Sequence, residues 1–208
     1  MPHFNVFATI GALALSASVA QAAPVSPVSY DMLNGETGSF TYFDDTYNGT
    51  VSGRNLSGGT GDLTDGVIAG SNWNSNGQTS STPYVGWAGE NPRIAFVFDQ
   101  VYDFNSATFY FDHSNQGGVD QPGAVAINGD SEAVPFQPGS APFAFTYDLT
   151  GQMTDTLVVD ITRTGGWVFL SEVTFDANVS PVPLPASALL LLSGVAGLGA
   201  MRRAKRRS

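Results

Sequence analysis

Eight short runs rich in β-branched, aromatic and small apolar residues, each bounded by Gly, Pro, Asn, Asp or Ser, restrict the middle of this chain to one class of structure. They are Ser39 to Phe43, Arg93 to Phe98, Ala107 to Phe111, Ala124 to Ile127, Ala133 to Phe136, Phe143 to Leu149, Thr156 to Thr162 and Trp167 to Phe175. Long helical periodicity is absent, and runs of this length and composition read as strands. The expected fold class is all-β, an eight-stranded sandwich. Asn128-Gly129 falls between two of the runs and predicts a tight type I′ hairpin, since both residues tolerate the positive φ which that turn demands. Thr46 to Gly86 is rich in Gly, Asn and Ser and too long for an ordinary connection. Long loops on such scaffolds carry binding sites or ions.

The strands lie between two export signals. At the start, an apolar core from Val6 to Leu15 precedes Ala20-Gln21-Ala22, a small-x-small cleavage site, so residues 1–22 read as a signal peptide. At the end stand Val182-Pro183-Leu184-Pro185-Ala186, an apolar run over 187–201, and Arg202, Arg203, Lys205, Arg206 and Arg207. The prolines hold the chain extended and give a helix a sharp start. About sixteen uncharged residues at roughly 1.5 Å each nearly span a bilayer core, and the terminal arginines can snorkel to complete the crossing. The basic end stays on the cytoplasmic side. A transmembrane helix, and so a membrane anchor, is expected over 187–201, with residues 202–208 as a basic tail. This three-part terminus resembles the PEP-CTERM class of bacterial sorting signals in its VPLPA variant, Leu184 standing where the commoner form has glutamate. The resemblance implies an exosortase-type sorting protease as partner, cutting within Val182 to Pro185. It also implies a place at the cell surface or in the extracellular matrix of a Gram-negative bacterium, associated with exopolysaccharide and biofilm.

Residues 23–180 form one expected domain, long enough to bury a core. All eighteen acidic residues lie there against Arg54, Arg93 and Arg163, a net charge of −15. Such a surface repels nucleic acid and anionic lipid heads, which excludes nucleic-acid binding and favours divalent cations and neutral ligands. With no cysteine in the chain, neither disulfides nor thiolate metal sites are available.

Within this domain Leu63-Thr-Asp65-Gly66, Trp73, Trp87, Pro92-Arg-Ile-Ala-Phe-Val-Phe98 and Gly166-Trp-Val-Phe-Leu-Ser-Glu172-Val-Thr-Phe175 follow one another in the order of a discoidin, or factor V/VIII type C, domain, which the segment Thr60 to Ala177 resembles. The resemblance implies a galactose-binding-like jelly-roll with ligands on loops at one end. It further implies one structural calcium ion held by Asp65, the Leu63 carbonyl, the Ser71 hydroxyl and Glu172. Independently of it, Glu172 shares a strand face with Val168 and Leu170. It is then either a partly buried carboxylate that needs a cation or donors, or a water-exposed group at a sheet edge.

For catalysis the residues offer little. His113 is the only histidine after residue 22, and no nucleophile elbow, phosphate loop or zinc-binding helix occurs. Asp44-Asp45 are adjacent, and on a strand they would point oppositely. The chain reads as a non-catalytic protein, with a hydrolase as a distant third reading. Candidate ligand contacts are Trp73, Tyr84 and Trp87, in or beside the long loop region, with His113, Asn115 and Gln116 in the polar turn after Phe111. Aromatic faces stack on a pyranose while amides and imidazole bond its hydroxyls. Each tryptophan taken alone reads slightly better as a plug under the loops, and His113, polar on both sides, is expected to face solvent. Two functions stay open: a module binding polysaccharide, or a structural or adhesin-like matrix protein with a protein partner.

Overall fold

The computed structural model describes residues 23–35, 42–75 and 83–179. The expected signal peptide, the apolar helix and the sorting motif Val182, Pro183, Leu184, Pro185 and Ala186 lie outside the described residues. No described helix is long and apolar enough to cross a membrane.

The described residues form ten strands and one short 3-10 turn. They are β1 (Ala23–Val25), β2 (Ser29–Leu33), β3 (Thr50–Ser52), β4 (Asn55–Gly59), β5 (Val85–Ala88), β6 (Arg93–Phe111), β7 (Ala124–Ile127), β8 (Asp130–Ala133), β9 (Phe143–Thr162) and β10 (Trp167–Val179), with the turn at Trp73–Ser75. Hydrogen bonding links them in the order β3-β4-β2-β6-β9-β7-β8, with β10 on β6, and β1 and β5 both on β10. Every pairing between these strands is antiparallel. The two longest strands serve both layers of an open β-sandwich. The first part of β6 pairs with β2 through Ile94 to Val97, and its last part pairs with β10 through Tyr102 to Phe111. Against β9 its register shifts between Val97 and Tyr102 and again between Phe104 and Ser106. Such bulges bend a strand and increase its twist, which lets one strand turn from one layer to the next.

The all-β expectation agrees with this architecture, and the strand boundaries differ instructively. Arg93 to Phe98 and Ala107 to Phe111 are the two ends of β6, and Phe143 to Leu149 and Thr156 to Thr162 are the two ends of β9. The polar middles remain extended, but the ladder skips Phe98 to Val101 and Asn105 on β6 and Leu149 to Gly151 on β9, where the strands bend. Tyr42 and Phe43 are not in a strand, and β8 closes at Ala133, before Pro135. Five short strands, β1 to β5, arise where the sequence has too little alternation to mark them. The Asn128-Gly129 hairpin forms as expected: Ile127 pairs with Asp130 while Asn128 and Gly129 take φ of 51° and 89°.

The main core lies between the layers. Phe96 and Phe98 of one layer meet Phe175 of the other edge to face, with centroids 5.0 and 5.1 Å apart. A second, smaller cluster of Tyr42, Ala69, Trp73, Tyr84, Val119 and Phe169 sits beneath the loops. It fixes the region described next.

Candidate functional site

Phe111 at the end of β6 is paired with Phe143 at the start of β9, so the loop over 112–123 and the loop over 134–142 leave the sandwich at the same end. A third loop, over 70–75, joins them through the second aromatic cluster. Trp73 stacks on Phe169 at 6.0 Å and meets Tyr42 edge to face at 5.8 Å. Gly117 takes φ of 63°, and a Cβ there would stand 2.8 Å from the Trp73 ring, so only glycine lets the loop pass.

Asp112 is the hub. Fully buried, it accepts the backbone N–H groups of Trp73 and Ser114, both at 2.7 Å, and interacts with the Tyr84 hydroxyl. Burial pushes its carboxyl up, while the two amides partly offset that. The Trp73 indole donates to Ser114 Oγ at 2.8 Å. Around this hub, side-chain amides lace the loop tips together. Asn115 donates to the Gly139 carbonyl at 2.9 Å, Asn74 to Gln116 Oε1 at 2.8 Å, and the Gln137 N–H to Gln121 Oε1 at 2.8 Å.

On this frame stands Phe136, 80 % exposed. An aromatic side chain left in water on loops held this firmly is a ready-made stacking surface. Sequence reading placed Phe136 at the end of a strand. The signal that contradicts a strand is the pair Pro135 and Pro138, which removes two ladder donors around it.

The residues expected to contact ligand divide in two. Asn115 and Gln116 are exposed at the loop tips. Tyr84 and Trp87 have no solvent exposure, so neither offers a face to a sugar. Trp87 belongs to the main core because β5 pairs with β10 opposite Val168, and its indole donates to the Leu33 carbonyl at 2.7 Å. Tyr84 donates to the Ser71 carbonyl at 3.0 Å and packs on Phe169. Trp73 is buried as a plug beneath the loops. His113 does not face solvent: it is buried, edge to face on Phe143 at 6.0 Å, with Nε2 3.1 Å from the Gln137 carbonyl. Its polar sequence neighbours concealed that the chain turns inward there.

A second, acidic region lies beside the closing strand. Glu172 is buried, not at a water-exposed edge, and accepts the Gly66 N–H at 3.1 Å. Desolvation, with a contribution from the Asp65 charge, pushes its carboxyl up to about 7. The Leu63 carbonyl accepts the Val173 N–H at 2.8 Å, which brings the Asp-Gly loop against β10. Nearby, Asp44 accepts the Tyr30 hydroxyl and the Asp62 N–H. Burial raises both Asp44 and Asp62, the latter to about 6. The donor set suits a hard cation: the Asp65 charge raises the proton affinity of Glu172, and the buried Thr64 hydroxyl has no hydrogen-bond partner. Ser71 is held through its carbonyl beside Tyr84, toward the aromatic cluster. No group of three or more His, Cys, Asp or Glu side chains converges on one point among the described residues.

Comparison with known proteins was informative at the level of family. No curated protein sequence matches the chain. Solved structures of related shape include a truncated AlyQ with CBM32 and alginate lyase domains, at 10 % identity and a TM-score of 0.44, covering 78 % of this chain and 35 % of that one. This chain therefore spans about a third of that protein. A family 32 CBM of C. perfringens NanJ in complex with galactose has 10 % identity and a TM-score of 0.31, covering 46 % of this chain and 79 % of that one. A GH31 CBM32-2 bound to GalNAc has 16 % identity and a TM-score of 0.32, covering 55 % and 90 %. Residues 27–177 match the family model described as the DS-like domain of discoidin domain-containing receptors 1 and 2. With most of its length inside that match and the open sandwich to go with it, the chain belongs to the discoidin DS-like domain family.

Proposed function

We propose that this protein is an exported, non-catalytic module that binds carbohydrate at the loop end of its sandwich. One observation carries the reading: Phe136, 80 % exposed, stands on loops cross-linked by Asn74, Asn115, Gln116, Gln121 and Gln137. An apolar face beside several amide donors and acceptors is what a pyranose ring needs, and a pre-ordered frame reduces the entropy lost on binding. Removing the Phe136 ring forfeits stacking of about 1–2 kcal/mol, so Phe136→Ala is expected to weaken binding roughly tenfold. Its melting temperature should stay within about 1–2 °C, since an exposed side chain contributes little to the fold. The test is a glycan array, followed by titration of the best polysaccharide. Silence of the unmutated protein on every glycan sinks the reading in favour of a matrix protein with a protein partner, and equal affinity of Phe136→Ala moves the site elsewhere.

A calcium ion on Asp65 and Glu172, with the Leu63 carbonyl and the Thr64 hydroxyl, forms part of the proposal. It would relieve the repulsion that the exposed Asp65 carboxylate exerts on the buried Glu172. At about a hundred times its dissociation constant such an ion adds about 2.7 kcal/mol, several degrees in melting temperature. Glu172→Gln is expected to lose that shift. Identical melting in calcium and in chelator removes the ion from the proposal.

Export and sorting complete it. Cleavage after Ala22 and a second cut within Val182 to Pro185 leave a surface-located ectodomain. Intact-mass measurement of protein from the native cell surface is expected to give a species starting at Ala23 and lacking Arg202 to Arg207. A species that keeps the arginines leaves a plain membrane anchor.

A further inference from the structure

The outer face of β6 and β10 carries a polar cluster that none of the three described arginines serves. Phe104 and Ala177 are buried and paired with one another. Their neighbours therefore point outward, and these are Asp103 opposite Asn178 and Ser106 opposite Asp176. Asn105 is the extra residue between them, where β6 slips register against both β10 and β9. The bulge pushes its side chain into the same patch, and Asn178 Nδ2 donates to Asn105 Oδ1 at 3.4 Å.

Three polar atoms of this cluster are shut off from water without a hydrogen-bond partner: Asp176 Oδ1, Asn178 Oδ1 and Asn105 Nδ2. Two orphan acceptors beside two carboxylates call for a positively charged donor, because burying them unmet is costly. Arg54 is engaged with Glu90, Arg93 with Asp160, and Arg163 with the carbonyls of Gly165 and Gly166. No lysine occurs between residues 23 and 179.

β1 begins beside this cluster. Ala23 pairs with Ala177 and Pro24 with Asp176, and opposed residues of an antiparallel pair lie about 4.5–5.5 Å apart. We propose that Asp176 and Asn178, the members of the cluster on β10, bind a primary ammonium group, and that its occupant is the chain's own α-ammonium at Ala23, created when the leader is removed. The inference rests on cleavage after Ala22. Before cleavage the Ala23 nitrogen is a neutral amide with one N–H; afterwards it is a cation with three. Processing thus adds a charge-assisted clasp between the first strand and the last.

The lysine-free ectodomain makes the test clean. In the chain exported from a host without a sorting protease, the only amines are the Ala23 α-amine and the side chain of Lys205. Intact mass first establishes the N-terminus; one other than Ala23 overturns the premise, and the proposal with it. The protein is then acylated with an amine-reactive ester at neutral pH, folded and in denaturant, and the labelled peptides are quantified. Pairing that raises the amine's proton affinity by one unit slows labelling about tenfold. The expected result is at least that slowing for Ala23 in the folded state, none for Lys205, and recovery of the Ala23 rate in Asp176→Asn. Equal rates in the folded and denatured protein overturn the proposal, and so does protection that Asp176→Asn leaves intact. A calcium-dependent rise in melting temperature that survives Glu172→Gln and vanishes in Asp176→Asn assigns the cluster to a metal ion and overturns it as well.

Discussion

In the presence of chelator, the protein is expected to melt roughly 10 °C higher at pH 5 than at pH 7.5. The cause is four carboxyls that burial holds protonated above the usual range: Asp44, Asp112, Asp62 at about 6 and Glu172 at about 7. Each binds its proton more tightly folded than unfolded. Its protonated form therefore favours the native state at low pH, and stability falls as pH climbs from the unfolded value, 3.8 for Asp and 4.5 for Glu, through the folded one. At about 1.4 kcal/mol per unit, Asp62 and Glu172 together withdraw about 3–4 kcal/mol between pH 5 and 7.5. In a domain of this size each kcal/mol moves the melting temperature by roughly 2–4 °C. Relief of self-repulsion in a strongly acidic domain acts in the same direction. Calcium at pH 7.5 should recover the Glu172 share, because a bound cation holds that group ionised at no cost. Thermal unfolding across pH decides the matter: stability that rises from pH 5 to 7.5 in chelator would mean these carboxyls are not desolvated.

Asp112→Ala is expected to cost about 3–5 kcal/mol, the largest effect of any substitution near the site. The change strands the amides of Trp73 and Ser114 in a buried region, and each unmet donor costs about 1–3 kcal/mol. Asp112→Asn keeps the volume and one acceptor oxygen, so it should lose less than half as much. Both variants loosen the loops that carry Phe136, so glycan affinity should fall in step with stability. Phe136→Ala, by contrast, separates the two. Denaturant unfolding of the three variants is the measurement, and an Asp112→Ala loss below about 1 kcal/mol would show that the loops are not held through this carboxylate.

The legible part of the fold was the part written in side-chain pattern. Runs such as Arg93 to Phe98 and Trp167 to Phe175 carry their own alternation, and Asn128-Gly129 carries its turn. What stayed hidden depends on partners distant in sequence. β5 exists because Val85 to Ala88 finds the start of β10, and Trp87 becomes core rather than ligand platform through that pairing. The burial of His113 follows from Phe143 and the Gln137 carbonyl thirty and twenty-four residues away. Glu172 was legible as one of two alternatives by its parity with Val168 and Leu170. Phe136 was legible in principle, since its two flanking prolines forbid the strand that its composition suggests.

The sharing of β6 and β9 between both layers bears on how this domain comes apart. A sandwich whose layers own separate strands can lose one sheet while the other persists. Here the ladder from Arg93↔Asp160 to Phe111↔Phe143 runs through both, so opening either layer breaks the same strand pair. Amide hydrogens along the two strands should then exchange only through global unfolding, as one cooperative unit, whereas those of β3 and β8 at the sheet ends exchange by local fraying. Forming a strand pair this long also brings together residues far apart in sequence, which places the domain among slow folders. Under the export proposed above, slowness of that kind would keep the chain translocatable for longer.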